Sequence, residues 1–374
     1  MFSSVDMEWM RRALQLAEHG LYTTDPNPRV GCVLVKNGAV VGEGWHEKAG
    51  EPHAEVHALR QAGEQATGAT AYVTLEPCSH FGRTPPCCDA LIQAAVARVV
   101  VAMQDPNPVV SGNGIGRLRE AGIPVDVGCL EAEARALNPG FIKRMSLGLP
   151  YVRVKMAMSA DGRTAMASGE SKWITGAEAR LDVQRLRARS SAIVTGIATV
   201  LTDDPALTVR QREAIGYPSH GELRQPWRVV LDSAMRMPAT AALLSQPGKT
   251  VLVAAAKNDA QRQALTAAGA EVWVHADLSG DKPKIDIGAL MMKLASVGCN
   301  EVLVETGPTL AGEIIGRGFA DELVTYVAPK LLGSDARPAF WLPGMTRMAE
   351  AIEMHLVDLA KIGDDVRLTY HLAR

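Results

Sequence analysis

At 374 residues the chain is too long for one ordinary hydrophobic core, which predicts two domains. Apolar residues make up 47% and charged residues 21%, a globular composition. The formal net charge of −2 lacks the electrostatic footprint of a dedicated nucleic-acid binder, and no apolar run approaches the ~20 residues that span a bilayer. Six cysteines in so long a chain do not make a disulfide framework, so a reducing cytoplasm is expected, and residues 1–20 lack a signal-peptide core.

In chain order, an amphipathic helix is expected over 6–18, then strands over 30–35 and 39–45 joined by Asn37-Gly38, a strong hairpin signal. A helix over 53–65, a strand over 70–75, a helix over 85–97 and a strand over 99–103 follow. A further helix near 116–121 leads to a strand over 124–127 and one helix over 131–145. Strands separated by helix-length segments imply a sheet with helices on its faces. Gly148-Leu149-Pro150 breaks the pattern, and the boundary is placed there, giving domains 1–148 and 149–374. A second α/β pattern then begins, with strands over 152–158, 192–195, 227–232, 250–254, 271–275, 301–305, 322–328 and 366–371. Residues 211–225 form the longest expected surface loop.

The chemistry concentrates in His53-Ala54-Glu55, followed by Pro77-Cys78 and then Thr84-Pro85-Pro86-Cys87-Cys88. One His and two Cys on Zn²⁺, with a Glu held off the metal to move protons, is the pattern of zinc-dependent nucleobase deaminases. The usual Pro-Cys-x-x-Cys would put the second cysteine at Phe81, whereas eight residues separate Cys78 from Cys87. Residues two apart inside a helix point to nearly opposite sides, so His53 and Glu55 can converge only beyond a helix end. Pro52 is therefore read as the first residue of one helix, and Thr84-Pro85-Pro86 as the cap and first turn of another. Two helix N-termini facing one another would build the site, with thiolates stabilised at the positive end. Cys88 is in phase with Leu91, Ile92 and Ala95 and should face the sheet, which leaves Cys87 for the metal. The expected ligands are His53, Cys78 and Cys87, with water in the fourth position and Glu55 as the proton carrier. The competing reading is a closed structural zinc site with His57 as a fourth ligand.

At the level of longer motifs, 53–58 (His-Ala-Glu-Val-His-Ala) and 72–87 (Tyr-Val-Thr-Leu-Glu-Pro-Cys through Pro-Pro-Cys) resemble the bifunctional riboflavin-biosynthesis deaminase/reductase of bacteria. That family's usual spacing is the stretched one found here. The segments 25–31, 104–108, 159–165, 203–210 and 305–312 carry the same resemblance, which covers nearly the whole chain and thins out over 216–286. It implies a cytidine-deaminase-like α/β/α zinc domain followed by a dihydrofolate-reductase-like α/β domain. The first would deaminate a diaminopyrimidinone bearing ribosylamine 5-phosphate, and the second would reduce the ribose moiety to ribityl with NADPH. It further implies a homodimer acting on a small phosphorylated pyrimidine, with no nucleic-acid or membrane partner. Carried over by position, Asn27, His46, Arg83 and Asp105 would line the deaminase pocket. Ser171, Arg187, Leu207, Arg210 and Glu305 would lie on the reductase substrate side. Ala157, Trp173, Thr199, Asp203, Ser233 and the run Gly307, Pro308, Thr309, Leu310, Ala311, Gly312 and Glu313 would lie on the cofactor side.

On the residues alone, Gly307 to Gly312 follows a strand and opens a helix, so its N–H groups can receive a phosphate, although glycines after a strand are more often simple turn residues. Arg187 and Arg210 are the candidates for the substrate phosphate, because a guanidinium fork matches its oxygens. Arg185 and Arg189, about 200° around the helix from Arg187, read as a solvated face. Core packing is the plain alternative for Trp173, and a turn cap for Asp203. Two further functions compete: a deaminase acting on a polynucleotide, which the near-neutral charge disfavours, and a second half that only senses a nucleotide.

Overall fold

The structure, a computed structural model, describes residues 2–79, 86–108, 110–219, 221–277 and 283–373. The chain divides into two compact units, Met1–Leu149 and Pro150–Arg374.

The first unit opens with α1 (Ser4–Glu18), which starts where it does because Ser3 and Asp6 form a reciprocal capping box. Strands β1 (Gly31–Lys36) and β2 (Ala39–Trp45) pair antiparallel around Asn37 and Gly38, whose φ values of 53° and 77° are those the tight hairpin turn requires. Then follow α2 (Ala54–Ala62), β3 (Thr70–Val73), α3 (Cys87–Gln93), β4 (Arg98–Val101), α4 (Asn113–Glu120), β5 (Val125–Val127), α5 (Glu131–Leu137) and α6 (Pro139–Leu147). The sheet order is β2-β1-β3-β4-β5, with β3, β4 and β5 parallel. Alternate strand residues feed two cores. Cys32, Leu34, Val73 and Val99 pack on α2, α3 and α4, while Val33, Val35, Tyr72 and Val100 pack on α1, α5 and α6. The result is an α/β/α sandwich.

Several helix boundaries differ from expectation, three of them with a visible local cause. His53 is the cap of α2, so Pro52 precedes the helix instead of opening it. Pro86 takes the cap position of α3; Thr84 and Pro85 lie outside the described residues. The single helix expected over 131–145 breaks at Asn138, because Pro139 has no N–H to continue it and Asn138 turns its amide to the Arg29 backbone with two 2.8 Å bonds.

The second unit contains β6 (Tyr151–Ser159), β7 (Arg163–Ala165), α7 (Ala177–Arg189), β8 (Ala192–Gly196), α8 (Ile197–Asp203), β9 (Trp227–Leu231), β10 (Thr250–Ala254), α9 (Asp259–Ala267) and β11 (Ala270–Val274). After the short ribbon β12 (Ala276–Asp277) and β13 (Lys284–Ile285) come α10 (Ile287–Ser296), β14 (Glu301–Glu305), α11 (Pro308–Gly316), β15 (Glu322–Ala328), β16 (Arg337–Pro338), β17 (Met354–Ile362) and β18 (Asp365–Leu372). The main sheet runs β11-β10-β9-β8-β14-β6-β15-β18-β17, parallel from β11 to β15 and antiparallel for the last two strands. Helices cover its faces: α7 packs Ala179, Val183 and Leu186 on Ile193, Leu303, Val324 and Tyr326. The carboxyl ends of β6, β8, β9 and β14 therefore share one edge, where open parallel sheets bind their ligands. Strand β17 had no sequence signal. It lies at the sheet margin with Leu356, Val357 and Leu359 exposed, and a bulge near Val357 interrupts its alternation. Among the described residues no helix is long and apolar enough to cross a membrane.

Candidate functional sites

The caps of α2 and α3 bring the first site together. His53 stands at the N-cap of α2, Glu55 is in its first turn, Cys87 is the first residue of α3, and Cys78 lies on the segment leaving β3. The ligand atoms of His53, Cys78 and Cys87 all lie within 4.8 Å of one another, with His53 Nδ1 3.3 Å from Cys87 Sγ and 3.5 Å from Cys78 Sγ. A tetrahedral zinc with its usual Zn–S and Zn–N lengths needs nitrogen and sulfur about 3.6 Å apart. The donor set and its spacing thus fit one zinc ion. Hydrogen bonds from the Cys87 thiol and from His53 pull the Cys78 thiol well below its ordinary range, the thiolate state that zinc takes.

Among the described residues His57 is not part of the cluster, and its buried Nε2 has no hydrogen-bond partner. Among the described residues the cluster supplies three ligands, the count of an open catalytic site rather than a closed structural one. Cys88 is fully buried in the apolar core beside Leu91 and Leu118, and burial pushes its thiol up to about 11. Replacing Cys87 by Ser should therefore strip the metal, whereas Cys88→Ser should lower stability and leave the metal in place. Elemental analysis of both purified variants checks this, and equal zinc loss from both would refute the helix-phase argument.

Glu55 is 3% exposed, and burial, opposed by His53, pushes its carboxyl up to about 7. A carboxyl in that range can both take and give a proton at neutral pH. Behind the ligands, His46 is buried, with Nδ1 3.1 Å from the Pro52 carbonyl and Nε2 3.0 Å from Asn27 Nδ2. The carbonyl can only accept, so Nδ1 carries the proton, Nε2 accepts from Asn27, and the Asn27 amide is fixed in one orientation. The His46 ring also meets His53 edge-on, with centroids 5.2 Å apart. Asp105 is buried at the end of the segment leaving β4. Arg83 lies outside the described residues.

The second constellation lies at the carboxyl edge of the large sheet. Glu305 ends β14 and is the register partner of Lys155 on β6. Arg187 of α7 donates to both Glu305 oxygens, at 2.6 and 2.9 Å, and to the Thr208 carbonyl at 3.1 Å. These contacts use three of its five N–H donors and hold the guanidinium beside Glu305. Arg210 is exposed, and its backbone N–H is anchored on Gln184. Of the α7 neighbours of Arg187, Arg185 is exposed beside Asp182 and the Ala214 carbonyl, whereas Arg189 reaches the buried Glu301 at 3.1 Å. Lys155 escaped the sequence reading. A lysine within the apolar run of β6 was the available signal, and burial lowers its pKa while Glu305 raises it.

Around this triad, Ala157 lies on β6, Leu207 is buried, and Ser171 and Trp173 occupy the segment after β7. Trp173 is 64% exposed, with the Arg180 guanidinium 4.5 Å from its ring centre, so core packing is not its role. Asp203 closes α8 and pairs with Lys172 at 3.3 Å. Thr199 sits in α8, and the Ser233 carbonyl beyond β9 accepts from Ala255 and Ala256. Gly307 caps α11 without a side-chain partner, is exposed, and would have nothing within 4 Å of an added Cβ. With Pro308 next, the first-turn donors of α11 are the amides of Thr309 and Leu310. Gly196, another residue missed in the sequence, caps α8 beside them; its Cβ position lies 3.4 Å from Thr306 Oγ1. Two bare helix starts side by side fit the phosphates of a dinucleotide. The rest of the run differs from its start in exposure. Ala311 and Gly312 are buried, and a Cβ on Gly312 would fall 2.0 Å from the Trp341 carbonyl oxygen, so that glycine is required by packing. Glu313 is exposed, 3.5 Å from Arg317.

A His-Cys-Cys zinc cluster with a buried off-metal Glu, on an α/β/α unit joined to a parallel α/β unit with a dinucleotide-type edge, defines a zinc-dependent deaminase fused to a reductase. Residues 3–103 match the model of the cytidine and deoxycytidylate deaminase zinc-binding region, and residues 150–368 match the RibD C-terminal domain. The chain is 54% identical over 369 residues to the riboflavin biosynthesis protein RibD of Escherichia coli K12, covering 97% of this chain and 98% of that one. It is similar to the solved structure of Acinetobacter baumannii RibD (47% identity, TM-score 0.90, 99% of each chain). It is also similar to a Thermotoga maritima diaminohydroxyphosphoribosylaminopyrimidine deaminase/5-amino-6-(5-phosphoribosylamino)uracil reductase (30% identity, TM-score 0.84, 99% of each chain). The chain belongs to the RibD family of riboflavin-biosynthesis proteins.

Proposed function

We infer that the chain catalyses two successive steps of riboflavin biosynthesis. The first unit hydrolytically deaminates a diaminohydroxyphosphoribosylaminopyrimidine, and the second reduces the ribosyl group of the resulting 5-amino-6-(5-phosphoribosylamino)uracil to ribityl with NADPH. The observation that carries the reading is the three-ligand cluster with buried Glu55 beside it, in a chain matched over nearly its whole length by RibD proteins.

His53, Cys78 and Cys87 are assigned to zinc, which when bound supplies the Lewis acidity that makes water a competent nucleophile at neutral pH. Glu55 takes a proton from the attacking water and delivers it to the departing amine. Asn27, held by His46, and Asp105 bind the pyrimidine edge; Arg83 is assigned to the same pocket by resemblance.

In the second unit the first turns of α8 and α11, with Gly196 and Gly307 to Leu310, receive the cofactor phosphates. NADPH, when bound, supplies the hydride. Lys155 and Glu305 face the substrate, and Arg210 takes its phosphate. Ser171 and Leu207 are assigned to the substrate, and Ala157, Trp173, Thr199, Asp203 and Ser233 to the cofactor, by position. All six cysteines are free, in keeping with a reducing cytoplasm. By resemblance the chain works as a homodimer, which its mass in solution by light scattering checks.

Arg210→Ala tests the division of labour. Reductase KM should rise by the equivalent of about 2–4 kcal/mol with kcat little changed, since phosphate is bound alike in ground and transition states. Deamination should be unaffected. A coupled assay of both half-reactions reads this, and crippled deamination would overturn the assignment of one reaction to each unit.

A further inference from the structure

Two residues before Cys78, Glu76 is 3% exposed and accepts four backbone N–H groups. Its Oε2 accepts from Asp105 at 3.1 Å and Gly112 at 3.0 Å, and its Oε1 from Gly114 at 3.0 Å and Ile115 at 3.2 Å. Gly114 and Ile115 belong to the first turn of α4, whose own cap, Gly112, has φ 83° and no side chain to offer. A carboxylate from another element thus satisfies the orphan donors and meets the positive end of the helix. Hydrogen bonds to an ionised acceptor are the stronger kind, and this one collects four. The approach is close enough to fix the sequence. A Cβ on Gly114 would fall 1.9 Å from the Pro77 carbonyl oxygen, so only glycine lets α4 reach the Glu76-Pro77-Cys78 segment. The Glu76 N–H in turn donates to the Met103 carbonyl at 3.0 Å, so the segments carrying Cys78 and Asp105 leave the sheet side by side. Asp105 Oδ1 then accepts from the Asn107 N–H at 2.8 Å, which tightens the turn that follows.

We propose that Glu76 is a positioning residue for deamination: it fixes Asp105 and the Gly112 turn against the zinc-ligand segment, so that this wall of the pocket is preformed before substrate enters. The proposal rests on the assignment of Asp105 to the deaminase pocket. Binding, rather than the proton transfers run by Glu55, is the step that a loosened wall impairs. The effect therefore appears in KM.

Glu76→Gln keeps the volume but turns an NH₂ group towards amides that can only donate. In hydrogen exchange, the amides of 105, 112, 114 and 115 should exchange about tenfold faster in this variant. Deaminase KM should rise about tenfold, with kcat within roughly threefold of the parent, zinc content unchanged and reduction of supplied intermediate unaltered. Should Glu76→Gln fail to fold, Glu76→Asp, which keeps the charge but retracts it by one methylene, carries the same readouts. Asp105→Asn, assayed beside it, separates the two layers of the argument. If Asp105→Asn alone leaves KM intact, the pocket assignment falls. If Asp105→Asn raises KM while the Glu76 variant changes neither exchange nor KM, the positioning role falls. Loss of zinc with collapse of kcat at unchanged KM would also overturn it, by making Glu76 a support of the metal cluster alone.

Discussion

Glu55→Gln should keep its zinc and lose deamination by well over ~10²-fold, the low end of what one acid–base group is worth, because the same carboxyl acts in more than one proton transfer. The substitution preserves shape: the glutamine amide fills the volume of the buried carboxyl at the start of α2. Its amide nitrogen can neither accept the proton of the attacking water nor hand one to the leaving amine. The three ligands are untouched, so metal content measured on the purified variant should match the parent. Reduction of supplied deaminated intermediate with NADPH should continue at the parental rate, because the residues assigned to that reaction all lie in the second compact unit. Near-normal deamination by a zinc-loaded Glu55→Gln protein would remove Glu55 from the mechanism. Loss of both reactions together would overturn the division between units.

How legible these sites were depends on how local their determinants are. The Asn37-Gly38 hairpin and β10, β14 and β15 could be read at or near their true bounds, because turn chemistry and apolar runs are encoded within a few residues. The choice of Cys87 over Cys88 for the cluster was likewise a matter of phase along one short helix, and Cys88 is buried in the core. What could not be read is what depends on a partner far along the chain. Lys155 matters because register sets it opposite Glu305, and nothing near Lys155 in sequence announces that pairing. The pairing of Arg187 with Glu305 likewise joins residues 118 positions apart, which no local pattern shows. The packing demand on Gly312 comes from Trp341, a residue on a later strap that no local pattern announces. Glu76 was invisible for the same reason, since three of its four donors lie 36 to 39 positions away. Strand β17 was missed because neither of its faces is buried, which erases the alternation that betrays a strand.

The largest stability effect in the second unit should come from Glu305→Leu, at about 3–5 kcal/mol, the usual penalty for removing one partner of a buried ion pair. Glu305 and Arg187 have side chains only 10% and 11% exposed, so solvent screens their attraction little. Burial alone would raise the Glu305 carboxyl, but Arg187 and, less strongly, Lys155 hold it below its ordinary range. Removing it leaves two cations facing each other, with burial and Arg187 both pushing Lys155 towards its neutral form. Reductase activity should be lost while deamination is retained. The pH dependence has a definite sign. A carboxylate whose folded pKa is depressed contributes stability that is present above its unfolded pKa and lost as pH falls through the folded one. The gap between parent and variant in urea unfolding of the second unit should therefore be widest near neutrality and shrink in acid. Arg187→Leu/Glu305→Leu, with both charges of the pair gone, should recover part of the loss, because replacing a whole buried pair with apolar groups is far less damaging than breaking it. A Glu305→Leu protein as stable as the parent at neutral pH, or a gap that stays constant into acid, would show that this pair does not hold the carboxyl edge of the sheet together.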